Sequence, residues 1–153
     1  MKLSIRTATA KDQAFIESLG KKTVMDSVSA LRHPIVEEVV ENFGRLLRVV
    51  DRREHKTLVA EVDGEPVGFL IMLDSLPDEV TGGDQAFIAY MAVEREHRGG
   101  GVGAALLREA EDEARAMGAP YISLMVTEEN EPARALYERA GYLTERRLLC
   151  KML

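Results

Sequence analysis

The stretch Tyr90–Met117, YMAVEREHRGGGVGAALLREAEDEARAM, joins an apolar run to a helical pattern through a glycine-rich loop. The apolar run spans residues 87–93, and Arg98 with three consecutive glycines follows a short charged linker. The backbone N–H groups in the first turn of a helix have no partners within the helix. In an arrangement of strand, glycine loop and helix, these groups point at the loop and can bind an anion. The helix dipole adds positive charge there, and glycines remove the β carbons that would keep a ligand away. The stretch therefore predicts a site for a phosphate-bearing ligand.

Length and composition predict one globular domain over residues 1–153. The chain is 46% hydrophobic and 30% charged, and its net charge of -6 disfavours nucleic-acid binding, which needs a basic face. The single cysteine, Cys150, rules out an internal disulfide and suits a reducing cytoplasm. Neither a signal peptide nor an apolar run of about 18 residues is present, so no membrane association is expected.

Two helices are predicted near the N-terminus, after a strand over residues 2–7. Thr9 and Asp12 have the spacing of a capping box, so the first helix is expected over about 11–27. Pro34 suits the first position of the second helix. That helix has the clearest amphipathic pattern of the chain, with an apolar face formed by Ile35, Val36, Val39, Val40, Phe43, Leu46, Leu47 and Val50.

An antiparallel hairpin is predicted next, with strands over residues 57–62 and 67–73. Asp63 and Gly64 between them form a typical two-residue turn. The long loop over residues 74–85 is acidic. Its carboxylates are interpreted as solvated surface or, alternatively, as a rim that attracts a cationic substrate; they are Asp74, Asp78, Glu79 and Asp84.

The second half of the chain predicts a parallel crossover. A strand over residues 87–93 is apolar on both faces, a helix follows over about 101–117, and another strand covers residues 121–126. Asn130 is placed to cap a short helix. Residues 142–153 are expected to close the chain as a strand.

Two phosphate-binding motifs compete for the glycine loop on spacing alone. Gly99, Gly101 and Ala104 match the dinucleotide fingerprint G-x-G-x-x-G/A, and Glu128 ends the next strand, where a ribose-binding acid is wanted. That fold, however, needs several parallel crossovers, and here an antiparallel hairpin precedes the loop. The second motif, the P-loop, is not matched. It ends in Lys-Ser/Thr, whereas Gly103 is followed here by two alanines.

The residues around this loop resemble a different family. Residues 98–104, RGGGVGA, resemble the R/Q-x-x-G-x-G/A motif of the GNAT N-acetyltransferase superfamily. Residues 130–142, NEPARALYERAGY, resemble its second motif, N-x-x-A-x-x-L-Y-x-x-x-G-F/Y. The resemblance covers the whole chain and implies an α/β GNAT acyl-CoA N-acyltransferase fold. In that fold a mixed, mostly antiparallel sheet is flanked by helices in the order β-α-α-β-β-β-α-β-α-β.

One departure from the family concerns the C-terminus. The family usually ends with two strands, whereas about twelve residues follow Gly141 here. The last strand is therefore expected to be single, bent or completed by a partner chain. Together with a sheet edge that needs cover, this favours a homodimer.

The resemblance implies that acetyl-CoA is bound as the acyl donor. Its pantetheine arm would pair with the backbone of residues 91–93, and its pyrophosphate would lie on the N–H groups of residues 98–104. Asn130 would both cap its helix and contact the arm. The implied cofactor-binding residues are Met91, Ala92, Val93, Arg98, Gly99, Gly100, Gly101, Val102, Gly103, Ala104, Asn130, Ala133 and Tyr137.

The implied reaction is acetyl transfer to a primary amine of a small molecule or peptide. Tyr137 matches the family's general acid, which protonates the departing thiolate, and strand N–H groups would stabilise the oxyanion. No residue of this chain matches a general base of the family by position, since Met125 lies where some relatives carry a glutamate. Asp84, Glu128, Asp74 and a water chain stay open. A catalytically silent acyl-CoA sensor is the alternative.

The remaining reactive side chains predict little. His33, His55 and His97 are far apart, so no metal site is expected. His33 lies between the first two helices, which form a wall of the acceptor pocket in the family. It is therefore interpreted either as a residue of that pocket or as a solvated loop residue. Cys150 is interpreted as structural. The acidic loop favours a cationic acceptor, whose identity is left open.

Overall fold

The structure, a computed structural model, describes residues 1–153, and its elements follow the predicted order as far as the last helix. The strands are β1 Leu3–Thr7, β2 His55–Val62, β3 Glu65–Leu73, β4 Ala86–Val93 and β5 Ile122–Leu124. The helices are α1 Gln13–Thr23, α2 Val36–Asp51, α3 Val102–Ala116 and α4 Glu131–Arg139. Short 3-10 turns cover Ala10–Asp12, Val24–Ser27, Ala30–Arg32 and Arg95–His97.

The five strands form one sheet in the order β1-β2-β3-β4-β5. All neighbours are antiparallel except β4 and β5, which are parallel and joined by α3. This confirms the mixed, mostly antiparallel sheet and the crossover. The predicted hairpin turn is also confirmed, because Asp63 (φ 51) and Gly64 (φ 84) both adopt the positive φ of a type I′ turn.

β4 and β5 pair only at their beginnings and then separate. Their ladder stops at the pair Ile88–Leu124. Next to Ile88, on the side facing β3, β4 has one residue more than β3, because Ile71 pairs with Tyr90 and Met72 pairs with Ile88. The extra residue, Ala89, is a bulge, and bulges bend a strand and increase its twist. Beyond this bulge, residues 89–93 of β4 have an open edge.

Helices cover both faces of the sheet and divide the core in two. On one face, buried residues of β2–β4 pack with Leu106 and Leu107 of α3. On the other face they pack with α1 and α2 through residues such as Phe43. Gly20 of α1 has no room for a β carbon, because the Phe43 ring occupies that position. Glycine at position 20 of α1 thus allows the close approach of α2.

The N-terminal capping box is confirmed. The Thr9 amide donates to Asp12 Oδ2 at 2.7 Å, and the Lys11 amide donates to Thr9 Oγ1 at 3.3 Å. These bonds cap the 3-10 turn that leads into α1. Asp12 is buried, and Arg6 of β1 binds both of its carboxylate oxygens at 2.8 Å.

The beginning of α2 differs from the prediction. The helix begins at Val36, because Ile35 is extended (φ -102, ψ 119), so Pro34 lies before the helix. Ile35 and Val36 are about half exposed, whereas Phe43, Leu47 and Val50 are buried. The predicted apolar face therefore contacts the core from Val39 onward.

The predicted strand over residues 142–153 is not formed. After α4, no residue from 143 to 153 takes part in a strand or in a backbone–backbone hydrogen bond. A strand needs a neighbour to pair with, and these residues have none in this structure. No helix of the structure is long and apolar enough to span a membrane.

Candidate active site

The loop between β4 and α3 presents a row of unpaired backbone donors. The N–H groups of residues 99–104 donate no hydrogen bond to any protein group, as expected before and within a first helical turn. Gly99 (φ 77) and Gly101 (φ 89) adopt left-handed conformations, and Gly101 immediately precedes α3. A β carbon at either glycine would face open space. The loop can therefore bind an anion closely through its backbone.

Arg98 differs from the rest of the predicted loop. Its own amide donates to the carbonyl of Arg95 at 3.2 Å, so this N–H group is not free for a ligand. Its side chain folds back, with Nε donating to the Val93 carbonyl at 3.1 Å and Nη2 lying 3.7 Å from Asp26 Oδ2. Arg98 thus offers a guanidinium charge at the end of β4 instead of a backbone donor.

The open edge of β4 exposes alternate backbone groups. The Glu94 amide donates to Val67 on β3, and hydrogen-bonded pairs alternate along an antiparallel ladder. Ala92, opposite Phe69, therefore directs its N–H and C=O groups towards β3. The backbone of Met91 and Val93 faces the cleft between β4 and β5. Of the predicted trio, Met91 and Val93 thus border the cleft with their backbone, whereas the Ala92 backbone is directed to β3.

The two predicted motifs pack directly against one another. A β carbon on Gly103, in the first turn of α3, would lie 2.9 Å from Leu136 Cδ2 on α4 and 3.8 Å from Met91 Cε. Glycine at position 103 therefore lets α4 approach the glycine loop. Through this contact the free amides, the open edge of β4 and the second motif belong to one site.

Asn130 caps α4 as predicted. Its Oδ1 accepts a hydrogen bond from the Ala133 amide at 3.4 Å, with Pro132 in the first turn. Asn130 and Arg98 also line one cavity of about 320 Å³. The start of the glycine loop and the start of the second motif therefore face each other. The other residues that line this cavity are Met25, Asp26, Val28, Glu129 and Pro132.

Tyr137 is half-buried on α4, and its hydroxyl makes no hydrogen bond to another protein group. Its ring packs edge-on against Tyr142, with the ring centroids 6.0 Å apart. Burial raises the pKa of Tyr137, and the nearby Tyr90 acts in the same direction. The phenol is therefore protonated at neutral pH and free to donate.

Tyr90 is a site residue that the sequence reasoning did not select. The bulge at Ala89 turns Tyr90 towards α1, where its hydroxyl lies 2.8 Å from Thr23 Oγ1. Burial raises the pKa of Tyr90, and the carboxylate of Asp26 adds to that shift. A tyrosine within an otherwise apolar strand, directly before the predicted ligand-binding residues, was the available signal.

Asp26 and Glu129 were also missed. Asp26 lies in the 3-10 turn after α1, and Glu129 lies in the loop after β5. Glu129 Oε2 accepts a hydrogen bond from the Ala30 amide at 2.7 Å, and this bond lowers the pKa of Glu129. Thr127 Oγ1 donates to the Ser27 carbonyl at 2.6 Å. These contacts fold the α1–α2 connection over the cleft, and no local sequence pattern indicates them.

The predicted base candidates lie outside this cavity. Asp74 and Asp84 belong to the β3–β4 loop, at the opposite end of β4 from the glycine loop. Asp74 Oδ2 contacts Lys56 at 3.2 Å, and Asp84 accepts from Ser75 at 2.7 Å. Glu128 is exposed near Arg134 and does not line the cavity.

The acidic loop is engaged within the chain. Asp78 accepts hydrogen bonds from the Val80 and Thr81 amides, and Arg146 contacts Asp78 at 2.6 Å and Glu79 at 3.2 Å. The interpretation as a cationic-substrate rim is therefore not supported at these two positions, since their charge is matched by the C-terminal segment.

The histidines do not assemble into a site. His33 is exposed with a left-handed backbone (φ 47), His55 binds the Arg53 carbonyl, and His97 ends a 3-10 turn. No three His, Cys, Asp or Glu side chains are grouped as metal ligands. Cys150, expected on a closing strand, is exposed instead.

A second depression, of about 440 Å³, lies between α1 and α2. It is lined almost entirely by charged and polar side chains, including Glu17, Lys21 and Arg48. None of the candidate site residues borders it, so the cleft beside β4 is the candidate active site.

Comparison with known proteins agrees with this geometry. A sequence model of the Acetyltransferase (GNAT) family matches residues 26–142. A Pyrococcus furiosus protein provisionally named an acetyl transferase is 30% identical, with a TM-score of 0.84 over 99% of this chain and 100% of that one. A ribosomal-protein-alanine N-acetyltransferase from Brucella melitensis biovar Abortus 2308 is 22% identical, with a TM-score of 0.73 over 100% of both chains.

A further similar structure contains a ligand analogue. It is AAC(6')-Iy in complex with a bisubstrate analog, CoA-S-monomethyl-acetylneamine, and is 17% identical, with a TM-score of 0.72 over 100% of this chain and 99% of that one. At that identity it shows the shared fold alone. The family match, the fold and the paired motifs together establish that this chain is an N-acetyltransferase of the GNAT family.

Proposed function

We propose that this enzyme transfers an acetyl group from acetyl-CoA to the primary amine of a cationic small molecule or peptide. The observation that carries the proposal is the row of free N–H groups at residues 99–104, beside the open edge of β4. A pyrophosphate needs several converging donors at a helix N-terminus. An extended amide-bearing arm needs an unpaired strand edge, which Met91 and the amide of Val93 supply, whereas the Val93 carbonyl accepts from Arg98.

Oxyanion stabilisation is assigned to the backbone of β4. When an amine attacks a thioester, negative charge develops on the carbonyl oxygen, and fixed N–H groups in a cleft stabilise that charge. Met91 directs its N–H group into the cleft, two residues beyond the bulge at Ala89. We assign it as the donor to this oxygen.

Tyr137 is assigned as the general acid. Its hydroxyl has no protein partner, and burial raises its pKa, so it retains its proton until the CoA thiolate departs. The thiolate takes this proton, and the phenolate regains one from solvent through the cleft. The Tyr90 hydroxyl is engaged with Thr23, so Tyr90 is assigned no step in this proton transfer.

The cavity favours a cationic acceptor. Asp26 and Glu129 provide two carboxylates, and Arg98, the only cation among the residues that line it, already faces Asp26. The hydrogen bond from Ala30 keeps Glu129 ionised. A second charged group on the acceptor would bind there while a neutral amine attacks. No carboxylate contacts Tyr137, so water is assigned as the route for the amine proton.

The test is CoA release from acetyl-CoA with a panel of amines. Polyamines, aminoglycosides and peptides with lysine should be acetylated. Amines whose other charged groups are all carboxylates should not be acetylated. Glu129→Gln should lower kcat/KM for the cationic amines about tenfold without changing the Kd of acetyl-CoA, whereas Glu131→Gln, outside the cavity, should change neither. A Cys150→Ser background avoids reaction of the exposed thiol with a thiol reagent.

Two results would contradict the proposal. Acetylation of anionic amines in preference to cationic ones would reject the assigned acceptor class. Binding of acetyl-CoA without CoA release on any amine would instead favour an acyl-CoA sensor of the same fold.

A further inference from the structure

Tyr90 carries the only hydroxyl group among the side chains of β4, and its ring packs against two phenylalanine rings. The ring of Phe69 stacks on it with the centroids 5.8 Å apart, and the ring of Phe43 lies 4.9 Å away. Phe43 in turn occupies the position where a β carbon of Gly20 would lie. Contacts of this kind fix an aromatic ring within a packed core, so the Tyr90 hydroxyl has a defined position.

This hydroxyl donates a hydrogen bond to the end of α1. It lies 2.8 Å from Thr23 Oγ1, and either oxygen could supply the proton of that contact. Thr23 Oγ1, however, also lies 2.9 Å from the Leu19 carbonyl, which can only accept. The single hydroxyl proton of Thr23 is therefore directed to Leu19, and Tyr90 donates to Thr23. Thr23 is only 8% exposed, so water does not compete for this bond.

The bond holds the beginning of a segment that lines the acceptor cavity. Thr23 is the last residue of α1, and the 3-10 turn Val24–Ser27 follows directly. Asp26 lies in that turn and borders the cavity, roughly 6 Å of 3-10 helix beyond Thr23. Burial raises the pKa of Tyr90, and the Asp26 carboxylate adds to this shift, as expected for neighbouring groups. The position of Asp26 therefore depends on where Thr23 is held.

Two other contacts join the same parts of the chain, but both are exposed to solvent. Lys22 Nζ lies 3.0 Å from the Glu94 carboxylate, and the Lys22 side chain is 57% exposed. Arg98 Nη2 lies 3.7 Å from Asp26 Oδ2, and both side chains are about half exposed. Ion pairs of this kind contribute little, because solvent and salt screen them. The buried pair of hydroxyl groups is therefore the contact that fixes this segment to β4.

The same residue borders the donor half of the site. Tyr90 immediately precedes Met91, whose N–H group is assigned to the oxyanion in the proposed function. One fixed side chain thus lies between the group assigned to stabilise the thioester oxygen and the carboxylate assigned to the acceptor. A charged group of the acceptor can bind Asp26 while a neutral amine attacks only if the acceptor spans the distance between these two places.

We infer that Tyr90 is a positioning residue: through Thr23 it fixes Asp26 relative to the thioester. The enzyme therefore selects acceptors by the separation of their two amino groups, and a linear diamine is the simplest acceptor of this kind. The inference rests on the proposed function, because it takes Asp26 as a carboxylate that binds the acceptor. Tyr90 acts through Thr23 and is assigned no contact with either substrate.

The test is the acetylation of a series of linear diamines, from diaminopropane to diaminooctane, followed as CoA release. Wild type should prefer one chain length, because the two amino groups must fit a fixed distance. Tyr90→Phe and Thr23→Val each remove the bond and nearly keep the size of the side chain. Each should raise the KM of the preferred diamine about tenfold, with a smaller change in kcat, and should flatten the preference among chain lengths. The Kd of CoA, measured by calorimetry, should stay unchanged.

Three further variants separate positioning from a general loss of structure. Thr23→Ser keeps the hydroxyl group, so it should keep the chain-length preference. Lys22→Met removes the adjacent exposed ion pair and should also keep this preference. The double variant Tyr90→Phe/Thr23→Val should be no more impaired than either single variant, because both substitutions remove the same bond.

Three results would overturn the inference. A chain-length preference that Tyr90→Phe and Thr23→Val both retain would reject the positioning role and leave the proposed function intact. Equal kcat/KM values for all chain lengths in wild type would reject selection by length. Absence of CoA release with every diamine would also overturn the inference, and the panel of amines described above then decides separately on the proposed function.

Discussion

Gly103 and Leu136 join the two halves of the active site, since a β carbon on Gly103 would lie 2.9 Å from Leu136 Cδ2. Gly103 follows the free amides of the loop, and Leu136 immediately precedes Tyr137. The contact therefore fixes the distance between the groups assigned to bind the donor and the residue assigned to protonate its thiolate. Displacements of about 1 Å at such sites lower rates by roughly two orders of magnitude.

Gly103→Val should lower kcat about tenfold or more, because the larger side chain displaces Leu136 and with it α4. Leu136→Ala, added to this variant, should restore part of the loss by making room. The measurement is a double-mutant cycle on kcat. Gly44→Val is the matched control, because Gly44 is also helical but a β carbon there meets only Arg48 Nη1, at 3.6 Å. Strictly additive losses in the cycle would reject the coupling.

The left-handed conformation of Gly101 predicts a selective loss of donor binding. Gly101→Ala should weaken acetyl-CoA binding about tenfold, because alanine strains a backbone at φ 89 and shifts the adjacent amides. Gly64→Ala introduces comparable strain at φ 84 in the β2–β3 turn, outside the glycine loop. It should reduce stability without changing the Kd measured by calorimetry. Equal Kd values for wild type and Gly101→Ala would show that the loop does not bind the donor.

Much of this architecture could be predicted because it depends on local chemistry. The capping box at Thr9 and Asp12, the turn at Asp63 and Gly64, and the cap at Asn130 each use residues a few positions apart. The glycine loop is likewise a local signal, and its spacing with the second motif was enough to indicate the family.

The remaining features depend on residues distant in sequence. Tyr90 faces α1 only because the bulge at Ala89 shifts the side-chain alternation of β4. Glu129 contacts Ala30 across 99 positions, which no periodicity reveals. The closing strand expected over residues 142–153 is not formed, because a strand requires a paired neighbour and no backbone–backbone hydrogen bond joins residues 143–153 to the sheet.

The pair of Arg6 and Asp12 predicts a pH dependence of stability. Hydrogen bonds from Arg6 lower the pKa of Asp12 from 3.8 to about 2. Because the folded-state pKa is the lower one, the stabilisation is present above pH 3.8 and is lost as the pH falls through about 2. Asp12→Asn should therefore lower the free energy of unfolding by about 1–2 kcal/mol at pH 7 and by progressively less below pH 4.

Urea denaturation of both proteins between pH 7 and pH 2.5 would measure this difference. Asp112→Asn serves as the control, because Asp112 and Arg115 form an exposed pair on α3 that should contribute little at any pH. A constant difference between wild type and Asp12→Asn over this range would contradict the linkage.

The most direct test of the mechanism is the turnover of Tyr137→Phe. Its kcat should fall by roughly 10²–10⁴-fold while the Kd of acetyl-CoA stays unchanged, because the lost hydroxyl donates only to the departing thiolate. Tyr142→Phe is the matched control: its ring packs against Tyr137, but its hydroxyl donates to Glu111 at 3.0 Å, so kcat should change little. Wild-type turnover by Tyr137→Phe would contradict the account.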